Sequence, residues 1–316
     1  MMRILMFGRG TIATLYGWAF AKAGHEVEFY VRPGRSAQLP PAVDLRIRDG
    51  RKRGAAVTER WPTTLREDVD ADYDLVVLSV NHDQLDDAVE FLSTRVGGAT
   101  VLMFGNVWAD PAAVVSALPA SQVVWGFPGG GGGFDGSTLR GGVVKNVFLG
   151  FVDDSNRGAR YQAVRDLFRG AGFAVSQSRD FRSWLWFHFI MDAGLLTQGL
   201  AVGGRAELAR SRTAARDVFL LMREMVPLLK AKGGTPRLGA AVVSRVPAVL
   251  LGFALRKVLG GKNMLSFLTE ELERAGHTSG ELAGVYARDV LADARRLGVP
   301  LPRLTALEPL FAVKHH

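Results

Sequence analysis

The segment Gly8-Arg9-Gly10-Thr11-Ile12-Ala13 constrains this chain more than any other, because of what flanks it. Before it runs a short apolar stretch, Arg3 to Phe7, and after it Ile12, Leu15, Ala19 and Phe20 recur at helical spacing. Strand, glycine turn and helix in that order make a G-x-G-x-x-A loop. Its first glycine supplies the turn, and its second lets the backbone approach a pyrophosphate at the helix N-terminus. The bland alternative is a turn whose glycines serve packing and hold no ligand. Gly24 stops the helix and His25 to Val31 alternates into a second strand, so one βαβ unit closes in about thirty residues. On this reading Gly8, Gly10, Thr11, Ile12 and Ala13 form a dinucleotide cradle.

The end of the second strand selects the cofactor. An NAD-binding unit carries an acid there for the ribose 2′-hydroxyl, whereas this chain reads Tyr30-Val31-Arg32-Pro33-Gly34-Arg35. A guanidinium at that point can meet a 2′-phosphate by charge-assisted hydrogen bonds, so NADP is expected, with Arg32 as its reader. A solvated loop charge is the competing account of Arg32 and Arg35.

Further along, strand signals at Leu75 to Val80, Thr100 to Phe104 and Val123 to Phe127 alternate with helical signals at Gln84 to Leu92 and Pro111 to Leu118. Asp49-Gly50 marks a turn between two short strands within Asp44 to Trp61, and Gly142 to Phe151 reads as a hairpin-like pair. The five glycines from Gly129 to Gly133 either lie flat against something or form a flexible loop. After a last strand at Phe173 to Val175, long helical patterns take over at Trp184 to Ala201, Thr213 to Lys232, Val242 to Val258 and Leu282 to Leu297. The expected architecture is an α/β N-terminal Rossmann-like domain, residues 1–178, with a doubly wound, mostly parallel sheet, and an all-α C-terminal domain, residues 179–316, for substrate and dimerisation.

Composition narrows the chemistry. At 316 residues the chain exceeds the length at which single cores stop growing. It has no cysteine, which excludes disulfides and thiolate metal sites, and no metal is expected. The net charge is +8, but the basic residues are spread along the chain without a nucleic-acid motif, so no nucleic-acid partner is expected. The N-terminus enters a strand directly, and no signal peptide is expected. The apolar run Val246 to Leu255 is interrupted by Pro247 and Gly252 and is far shorter than the ~20 residues of a membrane span; it reads as a buried helix. A cytoplasmic protein that acts on a small molecule, with no membrane partner and with a homodimer as one arrangement, is the expectation.

With these residues assembled, the chain resembles the ketopantoate reductase family, NADPH-dependent reducers of a 2-oxo acid with a Rossmann domain and a helical C-terminal domain. Val80-Asn81-His82-Asp83-Gln84 falls where the family has Val-Lys-x-x-Gln, with Asn81 in place of the lysine and Gln84 kept. The resemblance implies cofactor contacts for both. In Met103-Phe104-Gly105-Asn106-Val107 the family's Asn-Gly motif keeps its asparagine as Asn106, which the resemblance sets between nicotinamide and substrate. The family's helix Trp-x-Lys-Leu-x-x-Asn-x-x-x-Asn corresponds to Trp186 through Leu196, where His188 holds the catalytic lysine position and Asp192 the first asparagine. The family's Ser-Ser-Met becomes Lys262-Asn263-Met264, and its Thr-Glu pair is nearest to Gly280-Glu281. Lys262, Asn263 and Glu281 are therefore the implied substrate contacts.

His188 and Asp192 stand four apart on one expected helix, so their side chains share a face. A carboxylate beside an imidazole favours the protonated ring, and carbonyl reduction needs a proton donor at the oxygen. His188, oriented by Asp192, is the candidate general acid, unless it is an ordinary buried histidine. Trp186, Phe189 and Leu196 are either a bulkier, less polar substrate lining or the buried stripe that an amphipathic helix needs. The reading is an NADPH-dependent carbonyl reductase. An oxidoreductase acting on an imine or alcohol, and a non-catalytic NADP-binding sensor or scaffold, are the alternatives.

Overall fold

A computed structural model describes residues 1–69, 72–153, 157–236, 238–276 and 280–311, the last without the side chains of 280–283. The chain divides into two compact units, Met1–Phe181 and Arg182–His316. In chain order the first contains β1 (Arg3–Phe7), α1 (Thr11–Lys22), β2 (Glu26–Tyr30), β3 (Ala42–Asp49), β4 (Ala55–Pro62), β5 (Thr64–Arg66), β6 (Leu75–Leu78), α2 (Leu85–Ser93), β7 (Thr100–Phe104) and α3 (Pro111–Val114). It continues with β8 (Val123–Phe127), β9 (Gly130–Asp135), β10 (Thr138–Val143), β11 (Asn146–Gly150), α4 (Ala159–Gly170) and β12 (Ala174–Ser178).

Eight described strands form one sheet in the order β12-β11-β8-β7-β6-β1-β2-β5. Each neighbouring pair is parallel except β11 with β8. The strands β6 and β7 are buried along their whole length, as sheets covered on both faces demand, which is why they read as unbroken apolar runs. The chain places β2 on one side of β1 and β6 on the other, so the winding reverses at β1. Ligands of open α/β sheets bind beyond the strand C-termini at such a point.

A second sheet of four strands, in the order β4-β3-β10-β9, lies outside the sequence expectation. The turn at Asp49-Gly50 does join β3 and β4 as an antiparallel pair. Gly142 to Phe151 is not a hairpin, however: β10 pairs with β3 in the small sheet, while β11 pairs with β8 and β12 in the large one. Two adjacent runs of strand-like residues cannot disclose that their partners belong to different sheets. The Pro111 to Leu118 helix is likewise a single turn, α3, capped by the Asp110 carboxylate on the Ala112 N–H at 2.9 Å.

The glycine run is strand, not loop. In β9 and β10, Gly132 at φ +139° faces Gly141 at φ +149°, and a Cβ on Gly132 would stand 2.0 Å from the Arg140 carbonyl oxygen. The strands meet there at backbone distance. The Tyr16 hydroxyl on α1 accepts from the Gly129 N–H at 2.9 Å and donates to the Gly129 carbonyl at 3.2 Å, fixing the run's start to α1.

The second unit contains α5 (Phe181–Val202, which begins on the last residue of the first unit), α6 (Arg205–Arg210), α7 (Arg212–Ala231), α8 (Leu238–Arg245), α9 (Ala248–Gly260), α10 (Met264–Arg274), α11 (Gly280–Arg296) and α12 (Pro302–Ala306). Leu185, Trp186, Phe189, Ile190 and Ala193 of α5 are buried in its core. Gly194 is the close-approach point of α5 to α7, since a Cβ there would lie 2.9 Å from Met222. By length and composition α5 is apolar enough to cross a membrane. The helix expected over Val242 to Val258 is two, bent by 114° at Val246-Pro247, because proline disfavours helical backbone before it and removes an N–H. Arg223 braces the break, donating to the Val243 carbonyl at 3.0 Å and the Val246 carbonyl at 2.7 Å. Nor is this region wholly buried: α9 turns Val249, Leu250 and Phe253 outward.

Candidate functional site

The corner between β1 and α1 is built around two glycines used differently. Gly8 takes φ +90°, where a side chain is strained, and its N–H donates to the Tyr30 carbonyl at 3.0 Å, tying the end of β1 to the end of β2. Gly10 caps α1 at φ −78°, ψ 179°, a conformation open to any residue. A Cβ on either glycine would meet no atom within 4 Å. Packing therefore does not require Gly10, and the space above it is open. The first turn of α1 has neither a side-chain cap nor an acid, so its N–H groups and the positive end of its dipole present an uncompensated anion site.

That corner opens into a cleft of about 950 Å³ lined by Phe7, Gly8 and Arg9 from one side and by Arg32, Arg35 and Gln84, among others, around it. Its aromatic wall is continuous: the Tyr30 ring lies 4.7 Å from Phe7 and 4.9 Å from Phe91, with the Arg95 guanidinium 4.2 Å above Phe91. Phe91 reaches this wall from α2, and Asp87 is the carboxylate in the lining. Arg9 donates to the carbonyls of Pro40 at 2.7 Å and Ala42 at 3.4 Å, tying the glycine loop to the segment that follows Arg35. Burial lowers its pKa from the ordinary guanidinium value.

β2 does carry acids, but not where a ribose would need one. Glu28 is buried in mid-strand and accepts from Arg3 at 3.0 Å, Arg66 at 2.7 Å and the Tyr73 hydroxyl at 2.7 Å. Burial pushes its carboxyl up, yet the donors from Tyr73 and Arg66 outweigh it and hold the pKa below the usual carboxylate value. In the loop that follows Tyr30 the charged groups at the cleft are Arg32 and Arg35, and the carboxylate in the lining, Asp87, comes from α2 instead. A glycine-lined anion corner, an aromatic wall and an arginine rim fit an adenine dinucleotide.

Thr11 and Ile12 open α1 at half-buried positions, and Ala13 belongs to the core. Asn81 precedes a 3₁₀ turn, His82–Gln84, beyond the C-terminal end of β6, and is exposed outside the cleft lining. Asn106 lies two residues beyond the C-terminal end of β7, half-buried. The structure thus gathers Gly8, Arg32 and Gln84 into one cleft and adds Arg9, Arg35, Phe7, Phe91 and Asp87. Of these additions Phe7, Arg9 and Arg35 stood in or beside a recognised motif in the sequence, whereas Phe91 and Asp87 did not.

In the second unit the i,i+4 spacing brings the partners together. His188 Nε2 lies 3.6 Å from Asp192 Oδ2, with side chains 27% and 29% exposed, so the pair is neither sealed in the core nor fully solvated. The Trp184 indole stacks on the imidazole at 5.2 Å and 8° between planes, holding the ring from its face. Trp186 and Phe189, in contrast, are core residues: Phe189 packs against Tyr286 at 4.7 Å, and Lys232 Nζ lies 5.1 Å from the Trp186 ring. They do not form a substrate lining, since the helix spends them on its buried side; Leu196 stays half-buried. Asn263 caps α10: its Oδ1 accepts from the Ser266 N–H at 2.9 Å and its Nδ2 donates to the Val258 carbonyl at 2.8 Å. Its amide is thereby committed to backbone. Lys262 beside it is exposed, and the Glu281 side chain lies outside the described residues.

Residues 4–137 match the sequence profile described as Ketopantoate reductase PanE/ApbA. No curated protein sequence matches the chain. Among solved structures it is similar to the PanE/ApbA family ketopantoate reductase from Ralstonia eutropha JMP134 (18% identity, TM-score 0.70, covering 98% of this chain and 97% of that one). It is also similar to the dimeric ketopantoate reductase from Staphylococcus aureus (13%, TM-score 0.67, 98% and 96%). A D-mandelate dehydrogenase bound to NADH and anilino(oxo)acetate is a third such structure (16%, TM-score 0.71, 98% and 96%). At these identities the likeness is one of fold. Residues 4–137 thus match the ketopantoate reductase PanE/ApbA profile, and the chain as a whole has the ketopantoate reductase fold.

Proposed function

We propose that this chain is a nicotinamide-dependent oxidoreductase that uses NADPH to reduce the carbonyl of a 2-oxo acid or a related compound. The observation that carries the reading is the cleft of the first unit: an open glycine corner at a helix N-terminus, with Arg32 and Arg35 where an NAD reader would hold an acid. Gly8, Gly10 and the first turn of α1 would hold the pyrophosphate, the wall of Phe7, Tyr30 and Phe91 the adenine, and Arg32 with Arg35 the 2′-phosphate. Asn106, beyond β7, is the proposed reaction-end residue of this unit, and Gln84 lines the cleft. When bound, the nicotinamide supplies the hydride. His188, held by Asp192 and by the Trp184 stack, gives its proton to the carbonyl oxygen as that oxygen gains charge; hydride and proton together convert C=O to CH–OH. Lys262 is the proposed cation for a substrate carboxylate.

Titrating the intrinsic tryptophan fluorescence with NADPH and with NADH tests the cofactor half. Tighter binding of NADPH, with about a tenfold loss in Arg32→Ala and no change for NADH, is the expected result. Equal affinities in the unchanged protein would overturn the NADP assignment, and failure to bind either would leave a scaffold. For the chemical step, His188→Ala lowers kcat on a responding 2-oxo acid by about a hundredfold or more. Undiminished turnover in that variant would remove His188 from the mechanism.

A further inference from the structure

The distribution of charge in this chain is uneven in a way its total conceals. Residues 1–181 hold 20 Lys and Arg against 20 Asp and Glu, whereas residues 182–316 hold 19 against 11. The whole excess of +8 thus belongs to the second unit. Within that unit the 45 residues between Glu224 and Glu270 contain no acid and seven basic residues. Of those seven, Lys232 is spent on Asp293.

The same stretch carries α8 and α9, and these helices expose their apolar side chains. Ala248, Gly252 and Leu259 are the buried side of α9; a Cβ on Gly252 would come 2.7 Å from the Arg216 backbone nitrogen of α7, so the helix is seated at backbone distance. Facing away are Val249, Leu250 and Phe253, which are 65%, 59% and 55% exposed. Their spacing, i, i+1 and i+4, puts them on one face. On α8, Leu238 and Val242 repeat the pattern at i and i+4 and are exposed as well. Basic residues continue both rows: Lys257, one turn beyond Phe253, rests its Nζ 4.7 Å from the Phe253 ring, and Arg245 follows Val242 by three. Both are exposed.

We infer that α8 and α9 form an interfacial patch that docks the second unit on an anionic lipid surface. An apolar face whose own segment supplies Lys and Arg and no carboxylate is what an in-plane amphipathic helix requires: apolar side chains enter the acyl boundary and the cations meet the headgroups. The bend of 114° between the helices precludes a single straight span. A second copy fits poorly, because a twofold contact sets like patches against each other and this stretch offers no acid to answer Arg245 or Lys257. The inference is independent of the cofactor and of the reaction.

Flotation of the intact protein with phosphatidylcholine vesicles, with and without about one-quarter phosphatidylglycerol, tests it. Binding only to the anionic vesicles is expected, weakened about fivefold for each of Arg245→Gln and Lys257→Gln and by at least about tenfold in Leu250→Glu/Phe253→Glu. Circular dichroism and NADPH titration of each variant show that the fold is kept, which exposed positions should allow. No recovery with anionic vesicles overturns the inference. So does a dimer of the unchanged protein in sedimentation that Leu250→Glu/Phe253→Glu dissociates, since the face would then belong to a second copy. Equal binding to both vesicle types refutes the charge argument and with it the proposal.

Discussion

Two glycine segments of the first unit look alike in the sequence and do opposite things. Around Gly8 and Gly10 an added Cβ would meet nothing within 4 Å, while at Gly129 and Gly132 it would stand 2.2 Å from the Asn146 carbonyl oxygen and 2.0 Å from that of Arg140. One segment keeps space for something outside the chain; the other lets two strands touch. A glycine motif therefore acquires meaning from what occupies the volume of the missing side chain. That volume separates a ligand loop from a packing device.

Substitution at the two segments should break the likeness in opposite directions. The largest effect is expected from Gly132→Ala, where a Cβ collides with backbone at φ +139°: a loss of about 4 kcal/mol or more, read as a large fall in Tm or as failure to fold. A variant that melts within a few degrees of the parent would show that β9 and β10 can separate. Next comes Gly10→Ala, for which NADPH affinity should drop about a hundredfold, since the methyl group fills the approach to the helix N-terminus. The smallest effect is that variant's stability, which should change by no more than about 1 kcal/mol because its backbone conformation suits alanine. If Gly10→Ala destabilised the fold and left affinity intact, the open corner would be a packing device after all.

The same distinction governs how much was legible from residues alone. The βαβ corner, the strands β6 to β8 and the helical second half announce themselves because they are local: an apolar run, a turn and a 3.6-residue period need only a few neighbours. The small sheet does not, because β3 meets β10 across some ninety residues and nothing in either strand names the other. Pro247 is plain in the sequence, yet the apolar run over it has the pattern of one buried helix. The outward side of α9 depends on where α7 lies, since Gly252 can seat against only one neighbour.

For the candidate site the division is similar. Sequence spacing alone determined the glycine corner, the missing acid after β2 and the His188–Asp192 pairing, each a contact between residues only a few apart or a property of one loop. Tertiary structure decided the rest: that Phe91 completes an aromatic wall, that Glu28 is spent on Arg3, Arg66 and Tyr73, and that Asn263 is a cap. It also decided that Trp186 and Phe189 are core and that Val249, Leu250 and Phe253 are surface. The physical reason is that hydrophobicity states only a preference for burial. Which apolar residues are granted it depends on which elements pack together, and that is a property of the whole chain.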